Sequence, residues 1–389
     1  MKQIKGLFEE IRGSTKHNTF KTYTDKRKLI IMTKKPIPSY TRTDEQDQQR
    51  TLFQNAITAW KNLSEEEKQE YAEQARPYAL TGYQYFIKQY LLAPAPPGIW
   101  YEVTIDNTAN SNDLTDYQIR IDISNDAQFF TDAENKKEAI RLYDSNKSTL
   151  LSYWIEEFDT TNHNAKIWVK VPSIPAGSKK YIYMIIDTSR TTDASNADAV
   201  FDFFDDFSND LSKWDITTEG NAYVKIENGR MHVKAYGNQR AYVNTKEALN
   251  IDYNCIIELY AEPINEGVYG IPDIHDGTYI YVRLYWYSWE SNELRIYDGG
   301  TYHNFNWDSH NNYPLKIICY TQNKKFDVYL NNNLIAQNYN AKDSSFSGII
   351  NTISNKCGAS GNGGEVYFDN IIIRKYADPE PSISYEKET

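Results

Sequence analysis

The sequence predicts a mainly β protein, a small N-terminal α+β module followed by two antiparallel β-sandwiches. Three observations carry that expectation. Aromatic residues are abundant, with 32 Tyr, 15 Phe and 8 Trp in 389 residues, a usage that suits strands and aromatic contact surfaces. From Trp100 onward, apolar and polar residues alternate in short runs, the period-2 signature of half-buried strands. A Pro-rich run, Ala93-Pro-Ala-Pro-Pro-Gly98, separates this strand-rich part from a helical, basic beginning. The expected organisation is a module at 1–92, a linker at 93–98, a sandwich at 99–199, a second sandwich at 200–376 and a tail at 377–389.

Charge follows the same division. Residues 1–95 carry 16 Lys+Arg against 11 Asp+Glu, net +5; the other 294 carry 26 against 42, net −16, which together give −11. The two parts are therefore expected to meet different partners. Mean hydropathy is −0.69, and no apolar run approaches the roughly 20 residues of a membrane-spanning helix. Glu9 and Glu10 interrupt what would be the apolar stretch of a secretory signal, so export by the general route is not expected.

Within the first module, Ile4, Leu7, Phe8 and Ile11 recur at i, i+3, i+4 and i+7. They form the stripe of a short amphipathic helix, read as an anchor into a partner subunit. Thr19–Thr24 and Leu29–Thr33, joined by a charged turn, predict a hairpin. Thr43-Asp-Glu-Gln46 and Ser64-Glu-Glu-Glu67 have capping-box grammar and start two helices. A third helix runs from Thr81-Gly-Tyr to Leu91.

The run Ala59-Trp-Lys-Asn-Leu-Ser-Glu-Glu-Glu-Lys-Gln-Glu-Tyr71, with Thr81-Gly-Tyr-Gln-Tyr-Phe-Ile87, resembles a hairpin-plus-three-helix module of phage and provirus proteins. It also resembles the Trp-x-x-Leu-Ser-x-Glu-Glu-Lys-x-x-Tyr signature of HMG boxes, which would imply minor-groove DNA binding. The hairpin at 19–33 is foreign to an HMG box, and nucleic acid is not the partner expected.

Strands are expected at Tyr101–Ile105, Tyr117–Ile123, Ile140–Tyr143, Leu150–Ile155, Lys166–Val171 and Tyr181–Ile186. Together with Val200-Phe-Asp-Phe-Phe-Asp-Asp-Phe207, the pieces Ile140-Arg-Leu-Tyr-Asp144, Leu150-Leu-Ser-Tyr-Trp-Ile-Glu156 and Ile167-Trp-Val-Lys-Val-Pro-Ser-Ile174 resemble a family of uncharacterised β-domains of archaeal, bacterial and viral surface proteins. Such domains usually precede a concanavalin A-like or laminin G-like jelly roll. The segment from Asp206 to Ile373 is similar to one. The acidic-aromatic runs at 200–208 and 366–376 are expected to lie side by side as its first and last strands.

That adjacency makes Asp205, Asp206 and Asp369 candidate ligands of a structural Ca²⁺, because carboxylates on neighbouring strands repel unless a cation intervenes. The candidate sugar-binding face is Thr278–Trp289. Alternation puts Tyr279, Tyr281, Arg283 and Tyr285 on one side, with Trp289, Tyr302 and Trp307 flanking, and Ile280, Val282, Leu284 and Trp286 in the core. Flat aromatic faces stack on pyranose rings and Arg bonds their hydroxyls.

No phosphate loop, Gly-x-Ser-x-Gly elbow or His-Glu-x-x-His occurs. The six histidines are scattered and read as surface residues. Cys255, Cys319 and Cys357 show no metal or disulfide spacing and read as core. Glu258 and Glu262 share a strand face without the third carboxylate of a strand-borne glycosidase set. The function expected is a non-enzymatic structural or attachment protein of a virion, assembled in the host cytoplasm as a homo-oligomer and bound to other virion proteins through residues 1–92. Its partner outside would be a cell-surface glycan. A cellular carbohydrate-binding protein is the alternative.

Overall fold

The structure is a computed structural model that describes residues 13–14, 18–23, 29–34, 53–54, 56–61, 63–92, 98–265, 268–287, 293–307, 310–358 and 363–388. The anchor stripe Ile4, Leu7, Phe8 and Ile11, the helix start at 43–46 and Trp289 lie outside these. The chain divides into two compact units, 1–51 and 52–389. In the first, β1 (Gly13–Ser14), β2 (Asn18–Tyr23) and β3 (Leu29–Lys34) form one antiparallel sheet, the expected hairpin with Phe20 opposite Met32.

The break falls before the helices, not at the Pro-rich run, so hairpin and helices belong to different units. The helices instead touch the β part, where Tyr90 Oη lies 3.0 Å from Thr149 Oγ1. Residues 56–61 are helical, followed by α1 (Glu65–Ala75) and α2 (Gly82–Leu92). The Ser64 capping box forms as expected: Ser64 Oγ accepts from Glu67 N, and Glu67 accepts from Ser64 N. Thr81 and Gln84 make the same reciprocal pair. Trp60 packs 6.3, 5.7 and 5.5 Å from the rings of Tyr71, Tyr83 and Phe86. The HMG-like letters thus build this small core. A Cβ on Gly82 would sit 2.8 Å from Ala72 N, so α1 and α2 meet where only glycine fits.

The first sandwich contains β4 (Ile99–Asp106), β5 (Leu114–Ile123), the short helix α3 (Ala127–Asp132), β6 (Ile140–Tyr143), β7 (Tyr153–Asp159), β8 (Asn164–Ile174) and β9 (Lys179–Ile186). Val103, Ile105, Ile119, Ile121, Val169, Ile182 and Met184 alternate into its core.

After α4 (Ala197–Val200), the second sandwich comprises β10 (Phe203–Asp205), β11 (Trp214–Thr218), β12 (Tyr223–Glu227), β13 (Arg230–Ala235), β14 (Ala241–Thr245), β15 (Cys255–Asn265), β16 (Val268–His275), β17 (Ile280–Tyr287), β18 (Glu293–Asp298) and β19 (Thr301–Asn306). It continues with β20 (Tyr313–Tyr320), β21 (Lys325–Leu330), β22 (Asn333–Asn340), β23 (Thr352–Cys357) and β24 (Gly364–Lys375). An eight-stranded sheet runs β12-β13-β24-β15-β20-β21-β22 with β10 added on β24, and a seven-stranded sheet runs β11-β14-β23-β16-β17-β18-β19. Phe203 pairs with Ile373 and Asp205 with Ile371, so the two acidic-aromatic runs are neighbours, as expected. All three cysteines are buried and free, Cys255 opposite Cys319.

The chain then returns. β25 (Ser382–Lys387) pairs antiparallel with β4, giving the four-stranded sheet β25-β4-β9-β6 opposite β5-β8-β7. The tail expected at 377–389 is therefore a strand over 382–387. Ile383 and Tyr385 pack on the first core, and the backbone of β25 pairs the otherwise open edge of β4.

Both sandwiches are bound through a packed joint. Trp168, Val200, Phe201, Phe204 and Ile372 form one buried cluster. Gln118 Nε2 donates to Val200 O at 3.0 Å, and Lys375 N donates to Gln118 Oε1 at 3.0 Å.

Candidate functional site

The expected sugar-binding face lies on β17 to β19 of the seven-stranded sheet, with two corrections. Ile280 pairs with His275 and Val282 with Ile274, leaving Tyr281 as the extra residue of a β-bulge. A bulge adds one residue and re-aims a side chain. Tyr281 accordingly turns into the core, stacks on Phe346 at 4.4 Å and donates its hydroxyl to Lys325 O. Burial pushes that hydroxyl well above its ordinary pKa. Trp307 is also core, 1% exposed, with its carbonyl accepting from Trp286 Nε1 at 3.2 Å.

Alternation resumes after the bulge. Val282, Leu284 and Trp286 are buried as expected, Ile280 ahead of the bulge is only half-buried, and Arg283 and Tyr285 are half-buried on the other side. Arg283 is held by Asp273, with Nη2 2.7 Å from Oδ2 and Nε 3.2 Å from Oδ1. Burial pushes the Asp273 carboxyl up, more than the guanidinium beside it pulls it down.

Next to this pair stands a row that crosses three strands. Tyr285 lies opposite Arg295, and Arg295 opposite Asn304. The Arg295 guanidinium is 4.8 Å from the Tyr302 ring centroid and 6.0 Å from that of Tyr285. Tyr297 pairs with Tyr302, their rings 5.7 Å apart, and Lys342 Nζ lies 5.8 Å from the Tyr297 ring. Tyr302 and Tyr279 are 49% and 43% exposed. Arg295 and Tyr297 were missed in the sequence, yet Glu293-Leu-Arg-Ile-Tyr297 alternates plainly and points both to the same side as Tyr302. Asp276 fastens the edge of this face by accepting from the backbone N–H groups of Thr278, Tyr279 and Ser347. These donors outweigh its desolvation and hold its pKa down at about 2.

The three acids proposed to converge do so in part. Asp205 is buried, with Oδ1 accepting from Phe207 N at 2.9 Å and Oδ2 from Trp214 Nε1 at 2.7 Å. Both its oxygens thus have donors. Asp206 Oδ1 accepts from Ser208 N and Asp369 Oδ1 from Asn370 N. Burial pushes the Asp369 carboxyl up, and the charge of Asp206 adds to it. No group of three His, Cys, Asp or Glu that could hold a metal ion occurs among the described residues.

On the eight-stranded sheet, one histidine departs from its surface reading. His232 is 3% exposed, stacked under Tyr367 at 4.1 Å, with Nε2 2.8 Å from Glu365 Oε1. Glu365 also pairs with Lys234 at 2.8 Å, Glu262 with Arg230 at 2.5 Å and Glu258 with Arg374 at 3.2 Å.

Residues 136–217 match a family described as a domain of unknown function, DUF2341. The match overlaps the uncharacterised β-domain read from the sequence and crosses the joint into the second sandwich. No curated protein matches the chain. Among solved structures, a sialidase is 13% identical over 51% of this chain and 20% of its own, with a TM-score of 0.37. The chain thus spans a fifth of that sialidase's length. The cellulose-induced protein Cip1 is 14% identical over 45% of this chain and 97% of its own, TM-score 0.35. The carbohydrate recognition domain of Emp47p is 9% identical over 45% and 96%, TM-score 0.32.

Proposed function

We propose that this chain is a non-enzymatic attachment protein that binds carbohydrate on the outer face of its seven-stranded sheet, and that it serves as a structural component of a virion. The observation that carries the reading is the row Tyr285–Arg295–Tyr302–Tyr297. It offers exposed ring area and a guanidinium side by side, while Leu284, Leu294 and Ile296 of the same strands point to the core. Tyrosine rings take the apolar side of a pyranose, while Arg295, Asn304 and the tyrosine hydroxyls bond its hydroxyls. Contacts of this kind are individually weak. Attachment then relies on several copies in one assembly, each adding to avidity.

A non-catalytic role is supported by the pairing of the strand-borne acids. Glu258, Glu262 and Glu365 each face an arginine or lysine, whereas a glycosidase needs two carboxyls free to take and give a proton. The virion role is supported by the basic balance of residues 1–51, with 12 Lys+Arg against 6 Asp+Glu, beside the acidic remainder, which suits a unit that joins other particle proteins. A glycan array probed with the whole chain tests the reading. Binding of one or more glycans is expected, with at least a tenfold weaker signal from Tyr302→Ala. An array without a binder removes the function, and a binder indifferent to Tyr302 removes the site.

A further inference from the structure

The outer face of the eight-stranded sheet is partly roofed by the first sandwich, and the two enclose a crevice of about 640 Å³. That volume lies within the ordinary range of small-ligand sites. Its floor is made by Glu258 and Tyr260 of β15, Pro314 and Lys316 of β20, and Arg374 of β24. Its wall is made by Arg120 and Asp122 of β5 and by Trp168 of β8. The packed joint at Phe201, Phe204 and Trp168 fixes the wall over the floor, so the crevice is a built feature and not a loose gap between two bodies.

The charges that line it balance. The cations are Arg120, Lys166, Lys316 and Arg374. The acids, equal in number, are Asp122, Glu156, Glu258 and Glu380. They are interleaved at close range: Arg120 Nε lies 2.8 Å from Asp122 Oδ1, and Arg374 lies 3.2 Å from Glu258 and 2.6 Å from Glu380. Lys316 is the register partner of Glu258 and sits 4.1 Å from the Tyr329 ring. Burial pulls the Arg374 pKa down, but Glu258 and Glu380 outweigh it and hold the guanidinium charged.

An ionic ligand gains little here, because every lining charge that attracts it has a neighbour that repels it. A neutral ligand dense in hydroxyl groups suffers no such cancellation. Its O–H groups donate to the carboxylates and its oxygens accept from Arg120 and Lys316, in charge-assisted bonds stronger than neutral ones. We propose that this crevice is a second binding site, separate from the seven-stranded face, for an uncharged oligosaccharide.

The test is calorimetric titration of the full chain with cellohexaose, maltohexaose and mannohexaose, and with sialyllactose and a chondroitin hexasaccharide as anionic counterparts. At least one neutral hexasaccharide is expected to bind and both anionic ones to fail. Tyr260→Ala and Lys316→Ala, both on the crevice floor, should each weaken that binding at least tenfold. Lys246→Ala, in the bend that follows β14 of the other sheet, should leave it unchanged. Circular dichroism of Tyr260→Ala and Lys316→Ala should match the parent's, which guards against a folding defect. The proposal is overturned if no neutral hexasaccharide binds. It is also overturned if only the anionic ones bind, or if binding survives both Tyr260→Ala and Lys316→Ala, with or without a loss in Tyr302→Ala.

Discussion

The second sandwich presents two outer faces built by the same alternation, and they end in different situations. The seven-stranded face carries Arg283, Tyr285, Arg295, Tyr297 and Tyr302. The eight-stranded face carries Glu258, Tyr260, Lys316 and Arg374 beneath the roof of the first sandwich. One is a platform for rings, the other a crevice of balanced charge. The pleat decides only which residues leave the core; what covers them is decided by the return of the chain through the joint and through β25.

The largest expected effect sharpens the contrast between two tyrosines that looked alike in the sequence. Tyr281→Ala empties a core position stacked on Phe346 and should cost about 3–5 kcal/mol of stability. Tyr302→Ala, on the exposed face, should stay within about 0.5 kcal/mol. Urea denaturation of both variants decides it, and equal midpoints would mean that Tyr281 does not occupy the core.

On the roofed face, Arg374→Ala leaves Glu258 without its buried partner and loosens Glu380. The expected loss is about 1.5 kcal/mol, from the lost packing and charge-assisted bonds, because both carboxylates left behind reach solvent. A midpoint close to the parent's would show that the crevice floor does not depend on this ion pair.

A smaller effect separates the faces by pH. Asp276 has a folded pKa of about 2 against an ordinary 3.8. A carboxyl with a depressed folded pKa contributes stability that is full above the unfolded value and lost as pH falls through the folded one. Asp276→Asn should therefore flatten the decline between about pH 4 and pH 2, by about 1 kcal/mol once solvent screening is allowed for. An unchanged acid limb would mean that the bonds to Thr278, Tyr279 and Ser347 do not hold this edge.

The smallest effect concerns Asp206 and Asp369. With both oxygens of Asp205 taken by N–H donors, two carboxylates remain, fewer ligands than calcium prefers. Millimolar calcium should raise the melting temperature by about 1 °C or less. A rise of several degrees, reversed by chelator, would establish a calcium site there.

Much of this architecture was legible because alternation, caps and linkers act locally. The run Ile140–Tyr143 is the strand expected, Ser64 forms its box, and the cysteines are core. Adjacency of the runs at 203–205 and 371–373 was legible too, because two segments of the same unusual composition bounded one domain. Tyr281 was misplaced because a bulge is a register event between two strands, and neither strand announces it alone. His232 was misplaced because its burial depends on Tyr367, 135 residues away, closing over it. The crevice was invisible for the same reason. Trp168, Glu258 and Glu380 come from three distant segments and share a wall only after β25 has returned to β4.

The most direct measurement of the central claim is a titration of the glycan selected by the array against the full chain, its Tyr302→Ala and Arg295→Ala variants and the double variant. The row across β17 to β19 predicts at least a tenfold loss for each single variant. It also predicts a double variant weaker than either but short of the summed losses, because ring and guanidinium act on one sugar. Affinities equal to the parent's in both single variants would contradict sugar binding on this face.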